Sequence, residues 1–114
     1  MEITNTITEA LRELRIPMGN LGFNYISKAV SIVLEDESRI NNLTRPGGIY
    51  EEVARHFNTL PSRAERAIRH SIEIAFKSAD KAVLMRYFGH SEGCETNKNF
   101  IANMVYAVKK ETEA

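Results

Sequence analysis

Apolar residues along this chain recur at spacings of three and four, and they nowhere alternate with polar residues over the length of a strand. This is the periodicity of an amphipathic α-helix, whose buried stripe returns about every 3.6 residues. The first such segment carries Ile3, Ile7, Leu11 and Leu14 on one stripe. The sequence therefore predicts an all-α fold.

Six helical segments account for the pattern, and residues that stop helices separate them. Pro17 and Gly19 follow the first segment, the loop at residues 46–48 follows the second, and Gly89 ends the fifth, for which Asp80 is a candidate N-cap. The predicted ranges are about 3–15, 22–37, 48–57, 61–78, 80–88 and 97–111.

Composition excludes several classes of protein. The 114 residues are 43% hydrophobic and 26% charged, so the chain can bury a core as one domain over residues 1–114 without a disulfide or metal. A single cysteine, Cys94, leaves no internal disulfide and no multi-cysteine zinc site. No apolar run approaches the length of a membrane span and no secretory signal pattern is present, so we expect a cytoplasmic protein.

Charge is distributed unevenly, although the formal net charge is zero. Residues 41–79 carry six Lys/Arg against four Asp/Glu, and no other third of the chain has a basic excess. This segment contains Arg63, Arg66 and Arg69 within a stretch of seven residues. A polyanion would bind here.

The third and fourth predicted helices are joined by only three or four residues, which forces them to cross steeply. Ala54 is the small residue needed where two helices approach closely, and Phe57 and Ile68 are apolar positions that would fix the angle. Together these features predict a helix-turn-helix at about 48–78. In that motif the first residues of the second helix face base edges in the major groove.

The fourth helix has two distinct faces when its residues are placed at about 100° intervals. The apolar arc consists of Ala64, Ala67, Ile68, Ser71, Ile72, Ala75, Phe76 and Ala79. The opposite arc consists of Ser62, Arg66, Arg69, His70, Glu73 and Lys77, with Arg63 and Glu65 flanking its start.

The first turns of the polar arc carry residue types that recognise DNA. Arg63 and Arg66 could each pair bidentately with guanine, and Glu65 could accept a hydrogen bond from the amine of cytosine. The remaining polar residues at this end, Ser62, Arg69 and His70, would hold phosphates and set the register.

Two structural alternatives compete with this interpretation. The polar arc could be a solvated helix face with no ligand. Glu65 could also form a capping box with Ser62, or Thr59 could cap the helix with Pro61 in its first turn.

Residues 62–75, SRAERAIRHSIEIA, resemble the recognition helix of the effector domains of the stage zero sporulation protein A family. Further similar stretches are Ile16-Pro17, residues 22–26, Val53-Ala54, residues 57–59, Phe88-Gly89, Thr96-Asn97 and residues 100–102. The resemblance implies a six-helix, response-regulator effector domain that binds a short G/C-containing box in double-stranded DNA, often as tandem copies. It also implies a role as activator or repressor of transcription in sporulation.

The resemblance also implies roles for individual positions. Carried over by position, the base-reading residues are Arg63, Glu65 and Arg66, and the backbone-contacting residues are Ser62, Arg69 and His70. The family's contact with the RNA polymerase sigma subunit falls on about Lys77–Ser91, and its last helix lies between neighbouring effector domains. No stretch resembles the family's phosphoacceptor receiver domain, and the loop from Gly89 to Asn97 is shorter than usual.

No catalytic, cofactor or metal site is expected. His90 and Cys94 have a ligand-like spacing, but no third ligand lies nearby and Gly89 and Gly93 indicate a loop. No Ser-His-Asp spacing or phosphate-binding glycine loop occurs, so we do not expect an enzyme.

The main alternative to DNA binding is a helical adaptor that kept the fold and binds another protein. The set of arginines at the start of the fourth helix favours DNA, because an adaptor does not need them there. Self-association on DNA is expected, and the apolar face of the last helix is a candidate surface for it. The alternative is that this face belongs to the domain's own core; its residues are Phe100, Ile101, Met104, Val105 and Val108.

Overall fold

The computed structural model describes residues 2–113 of the chain. These residues form six α-helices, one short 3-10 helix and the segments that connect them. The α-helices are α1 (Glu2–Glu13), α2 (Leu21–Glu35), α3 (Ile49–Phe57), α4 (Pro61–Ser78), α5 (Lys81–Phe88) and α6 (Asn97–Glu113), and the 3-10 helix is Glu37–Asn41. The predicted all-α, six-helix fold is confirmed.

The most apolar helix, α2, occupies the centre of the fold. It packs against α1, α3, α4 and α6, so that it is buried on several sides at once. Its buried residues are Gly22, Phe23, Tyr25, Ile26, Ala29, Val30, Ile32 and Val33. None of the helices described has both the length and the apolar character needed to cross a bilayer.

Two helices end earlier than predicted. Arg15 adopts a positive φ of 64°, so α1 has already ended at Glu13, and Ile3 on its predicted stripe is 45% exposed. Asp36 is extended and ends α2, and its side chain accepts from the Ser38 N–H at 3.1 Å to start the 3-10 helix. The second helix, predicted to reach about residue 37, therefore ends at Glu35, and Asp36 is the cap between two helices.

A close approach of α2 to α4 fixes the orientation of α4. Gly22, in the first turn of α2, lies so near α4 that a Cβ added to it would meet Ser71 Oγ at 1.9 Å and the Ala67 carbonyl oxygen at 2.5 Å. The Asn20 side chain accepts from the Gly22 N–H at 2.7 Å and from the Ser71 hydroxyl at 3.3 Å. The cap of α2 thus also holds the middle of α4.

Candidate nucleic-acid interface

The turn between α3 and α4 consists of Asn58, Thr59 and Leu60. Asn58 adopts the left-handed conformation (φ 56°) that commonly ends a helix, and the Thr59 N–H donates to the Ala54 carbonyl oxygen at 2.9 Å. Leu60 is extended and Pro61 is the first residue of α4, where its missing N–H leaves no unsatisfied donor. These local preferences reverse the chain within three residues.

The packing of α3 against α4 agrees with the predicted helix-turn-helix. Val53, Ala54 and Ile68 are each no more than 2% exposed. Phe57 is half-buried, and its ring lies 5.1 Å from that of Tyr25 on α2. The motif is therefore locked onto the central helix as well as onto itself.

The two predicted faces of α4 are separated in the structure as expected. On the apolar side Ala64, Ile68, Ser71, Ile72 and Ala75 are buried. On the other side the exposed residues are Ser62, Arg63, Arg66, Arg69, His70, Glu73 and Lys77.

Arg63 and Arg66 differ from Arg69, His70 and Glu73 on this face, which have charged neighbours. Within the described residues neither guanidinium forms a hydrogen bond or an ion pair. Both project from the first two turns of α4, so their donors face solvent. His70, further along, has its Nδ1 3.8 Å from Glu73 Oε1.

Glu65 does not form the capping box that its spacing from Ser62 allows. Leu60 is the N-cap residue, with no side-chain cap, and Ser62 already lies inside the helix. The capping alternatives for Ser62 and Thr59 are therefore wrong, and Pro61 is in the first turn as expected.

The Glu65 carboxylate instead pairs with Arg69 one turn later. Arg69 Nε donates to Glu65 Oε2 at 3.0 Å and Arg69 Nη2 donates to Oε1 at 3.3 Å. These hydrogen bonds raise the pKa of Arg69. The pair is half-exposed and lies along the polar face of α4.

Two residues behind Glu65 were missed in the sequence. Asn97, the first residue of α6, is 9% exposed, and its Nδ2 lies 2.9 Å from Tyr50 Oη and 3.3 Å from the Glu65 carbonyl oxygen. Burial raises the pKa of Tyr50. The sequence placed Asn97 at a helix start, but it carried no signal that this helix start lies against α3 and α4.

The apolar side of α6 is not a surface. Phe100, Ile101 and Met104 are fully buried, and Val105 and Val108 are also in the core. The prediction that this face mediates self-association is therefore wrong, because α1, α2, α4 and α5 already cover it. The exposed side of α6 includes Tyr106, at 65% exposure.

The segment around α5 is held to α1 by one carboxylate. Glu13 pairs with Arg86 and accepts from the Tyr87 hydroxyl at 2.8 Å. Its hydrogen bond with Arg86 lowers the pKa of Glu13, and burial together with Glu13 raises the pKa of Tyr87 to about 12. Lys81 and Met85 remain exposed on α5.

His90 closes the loop between α5 and α6. Its Nδ1 lies 2.8 Å from the Glu92 carbonyl oxygen, its Nε2 contacts the Glu95 carboxylate, and its ring stacks on Phe76 with centroids 5.4 Å apart. Both nitrogens face acceptors, which only the protonated ring satisfies. Among the described residues no group of three His, Cys, Asp or Glu could hold a metal, and Cys94 is exposed.

This geometry predicts a pH-dependent contribution of His90 to stability. The hydrogen bonds to Glu95 and to the Glu92 carbonyl raise the pKa of His90 above its usual 6.5. The stabilisation is therefore complete below pH 6.5 and is lost as the pH rises through the raised folded-state pKa. The melting-temperature difference between the protein and His90→Gln should be largest in acid and shrink as the solution becomes alkaline. A His90→Gln difference that grows with pH would contradict this.

The chain matches the model of a known protein family. A family model described as "Sporulation initiation factor Spo0A C terminal" matches residues 7–108. The match extends from α1 into the last part of α6. It includes the turn between α3 and α4, all of α4, and Asn97 with the residues that it contacts.

Proposed function

Because the chain belongs to the Spo0A C-terminal domain family of DNA-binding transcription regulators in sporulation, we propose that α4 enters the major groove of a short G/C-containing box. The family's domains are regulatory and are not enzymes. The observation that carries the proposal is the pair of exposed, unpaired arginines, Arg63 and Arg66, on the first turns of a helix whose other side is buried.

Base recognition is assigned to Arg63, Glu65 and Arg66. Each free guanidinium has five N–H donors in a planar fork that matches the two acceptors of guanine. The Glu65 carboxylate has about four acceptor positions, of which Arg69 occupies two. Glu65 can therefore accept from the amine of cytosine without releasing Arg69.

Backbone contacts are assigned to Ser62, Arg69 and His70. Arg69 uses two donors on Glu65 and keeps the others for a phosphate, and its side chain is 55% exposed. Ser62 and His70 lie on the same exposed arc, one before and one after the base-reading turns. Such contacts fix the register of the helix and carry no sequence information themselves.

Two protein contacts complete the proposal, and both follow from the family resemblance. The segment at about Lys77–Ser91 would contact the RNA polymerase sigma subunit, with Lys81 and Met85 exposed for it. A neighbouring copy on a tandem box would meet the exposed side of α6, near Tyr106, because the apolar side is buried. Binding to a two-box duplex should then be cooperative.

A salt titration tests the phosphate assignment. Arg69→Ala should weaken binding to duplexes that lack the box as well as to the box, and lower the slope of log affinity against log salt by about one. The matched control is Arg12→Ala, an exposed arginine of α1, which changes the net charge equally but lies on a helix that packs against α2 and α6. Equal slopes for Arg69→Ala and Arg12→Ala would rule out a phosphate contact by Arg69.

A further inference from the structure

We propose that Asn97 is a positioning residue for base recognition, whose side-chain amide holds the Glu65 carboxylate from the buried side so that its outer lone pairs face the DNA. The inference rests on the proposed role of Glu65 as a cytosine reader. It adds α6, which does not itself face the groove, to the elements that determine which base is preferred.

The Asn97 amide nitrogen faces three oxygens that can each accept. Besides Tyr50 Oη at 2.9 Å and the Glu65 carbonyl oxygen at 3.3 Å, Glu65 Oε2 lies 3.5 Å away. Three acceptors on one side require the nitrogen of the amide there. The amide has two N–H groups: one donates to Tyr50 Oη, and the other is shared between the carbonyl oxygen and Oε2 of Glu65, with the carboxylate as the longer contact.

Glu65 is thereby held between two donors on different sides. Arg69 binds both oxygens along the exposed face of α4, and the Asn97 amide lies behind Oε2. A glutamate side chain has several rotatable bonds, and ordering it upon binding costs free energy. Because these contacts order the carboxylate before DNA arrives, that cost is reduced for the correct base.

The anchor of Asn97 is a neutral group in the interior. Tyr50 lies on α3, is 6% exposed, and accepts from Asn97 through its hydroxyl oxygen. The Asn97 side chain therefore joins α3, α4 and α6 at the level of Glu65. A small shift of the start of α6 would be transmitted to the Glu65 carboxylate through this contact.

The test is a binding selection on randomised duplexes with Asn97→Asp and Asn97→Ala. Asp keeps the size of Asn but sets an acceptor against Glu65, and Ala removes the donor without adding charge, which keeps the test valid if Asp prevents folding. Both should reduce discrimination about fivefold to tenfold at the base pair that Glu65 reads. Preferences at the Arg63 and Arg66 positions should not change in either variant, and the affinity for non-specific DNA should not change in Asn97→Ala, which adds no charge. The control is Asn103→Ala, since Asn103 donates to the Asn99 carbonyl of its own helix at 2.8 Å.

A paired variant separates positioning from packing. When Glu65→Gln is combined with Asn97→Asp, position 65 supplies the donor and position 97 the acceptor. The double variant should therefore melt at a temperature closer to that of the unchanged protein than Asn97→Asp alone does. Suppose that Glu65→Gln shifts base preference, so that Glu65 does read a base. If both Asn97 variants then weaken binding uniformly on every duplex, or change nothing, the proposal for Asn97 is overturned. If Glu65→Gln shifts nothing, the role of Glu65 itself fails and this inference fails with it.

Discussion

Replacing Gly22 with alanine is expected to lower the free energy of unfolding by about 3 kcal/mol, because the new methyl group meets backbone as well as side chain. The Ala67 carbonyl oxygen, 2.5 Å from the added Cβ, belongs to a helix and cannot rotate away as the Ser71 hydroxyl can. α2 and α4 would have to separate. The gain of about 1 kcal/mol from replacing glycine within a helix is too small to offset this.

Urea denaturation of Gly22→Ala and Gly19→Ala measures the effect. A Cβ at Gly19 meets nothing within 4 Å, so this control should change stability by no more than about 0.5 kcal/mol. If the two variants unfold at the same urea concentration, the close approach of α2 to α4 is not the reason for glycine at position 22.

Arg63→Ala is expected to weaken binding to the specific box by about 1–3 kcal/mol, which corresponds to roughly 5-fold to 150-fold. The preference should be relaxed at one base pair only, because a bidentate contact discriminates a single base. Stability should not change, since the Arg63 side chain is exposed and forms no hydrogen bond or ion pair within the described residues.

Fluorescence anisotropy on the box and on its single-base variants measures this loss. Arg69→Ala serves as the comparison, because removal of a phosphate contact should weaken binding to every duplex, including those altered at the base pair that Arg63 reads. Equal losses for Arg63→Ala on all duplexes would make Arg63 a backbone contact and leave base recognition to Glu65 and Arg66.

The helix-turn-helix and the bounds of α4 could be predicted because local residues determine them. Pro61 begins the helix, and the apolar arc of α4 has the helical period along its whole length. The same local reasoning failed for the capping box. The spacing of Ser62 and Glu65 fits such a box, but α4 begins at Pro61, so its N-cap is Leu60, two residues before Ser62. A motif of this kind needs the position of the helix start as well as its own spacing.

Contacts between distant elements could not be predicted from the sequence. Asn97 meets Tyr50 across 47 residues of chain and Glu65 across 32, and no periodicity encodes such pairings. The apolar stripe of α6 likewise indicated that a face is buried without indicating by what. The structure shows that the domain's own helices bury it, which removes it as a surface for a second copy.

Selection from a pool of randomised duplexes, carried out in parallel with the protein and Glu65→Gln, tests most directly whether α4 reads base edges. The protein should enrich a short box containing G and C. Glu65→Gln should enrich the same box with adenine in place of one cytosine, because glutamine both donates and accepts and pairs with adenine. Enrichment of no common box by the protein, or of an identical box by both proteins with loss of thermal stability in the variant, would contradict base recognition through Glu65.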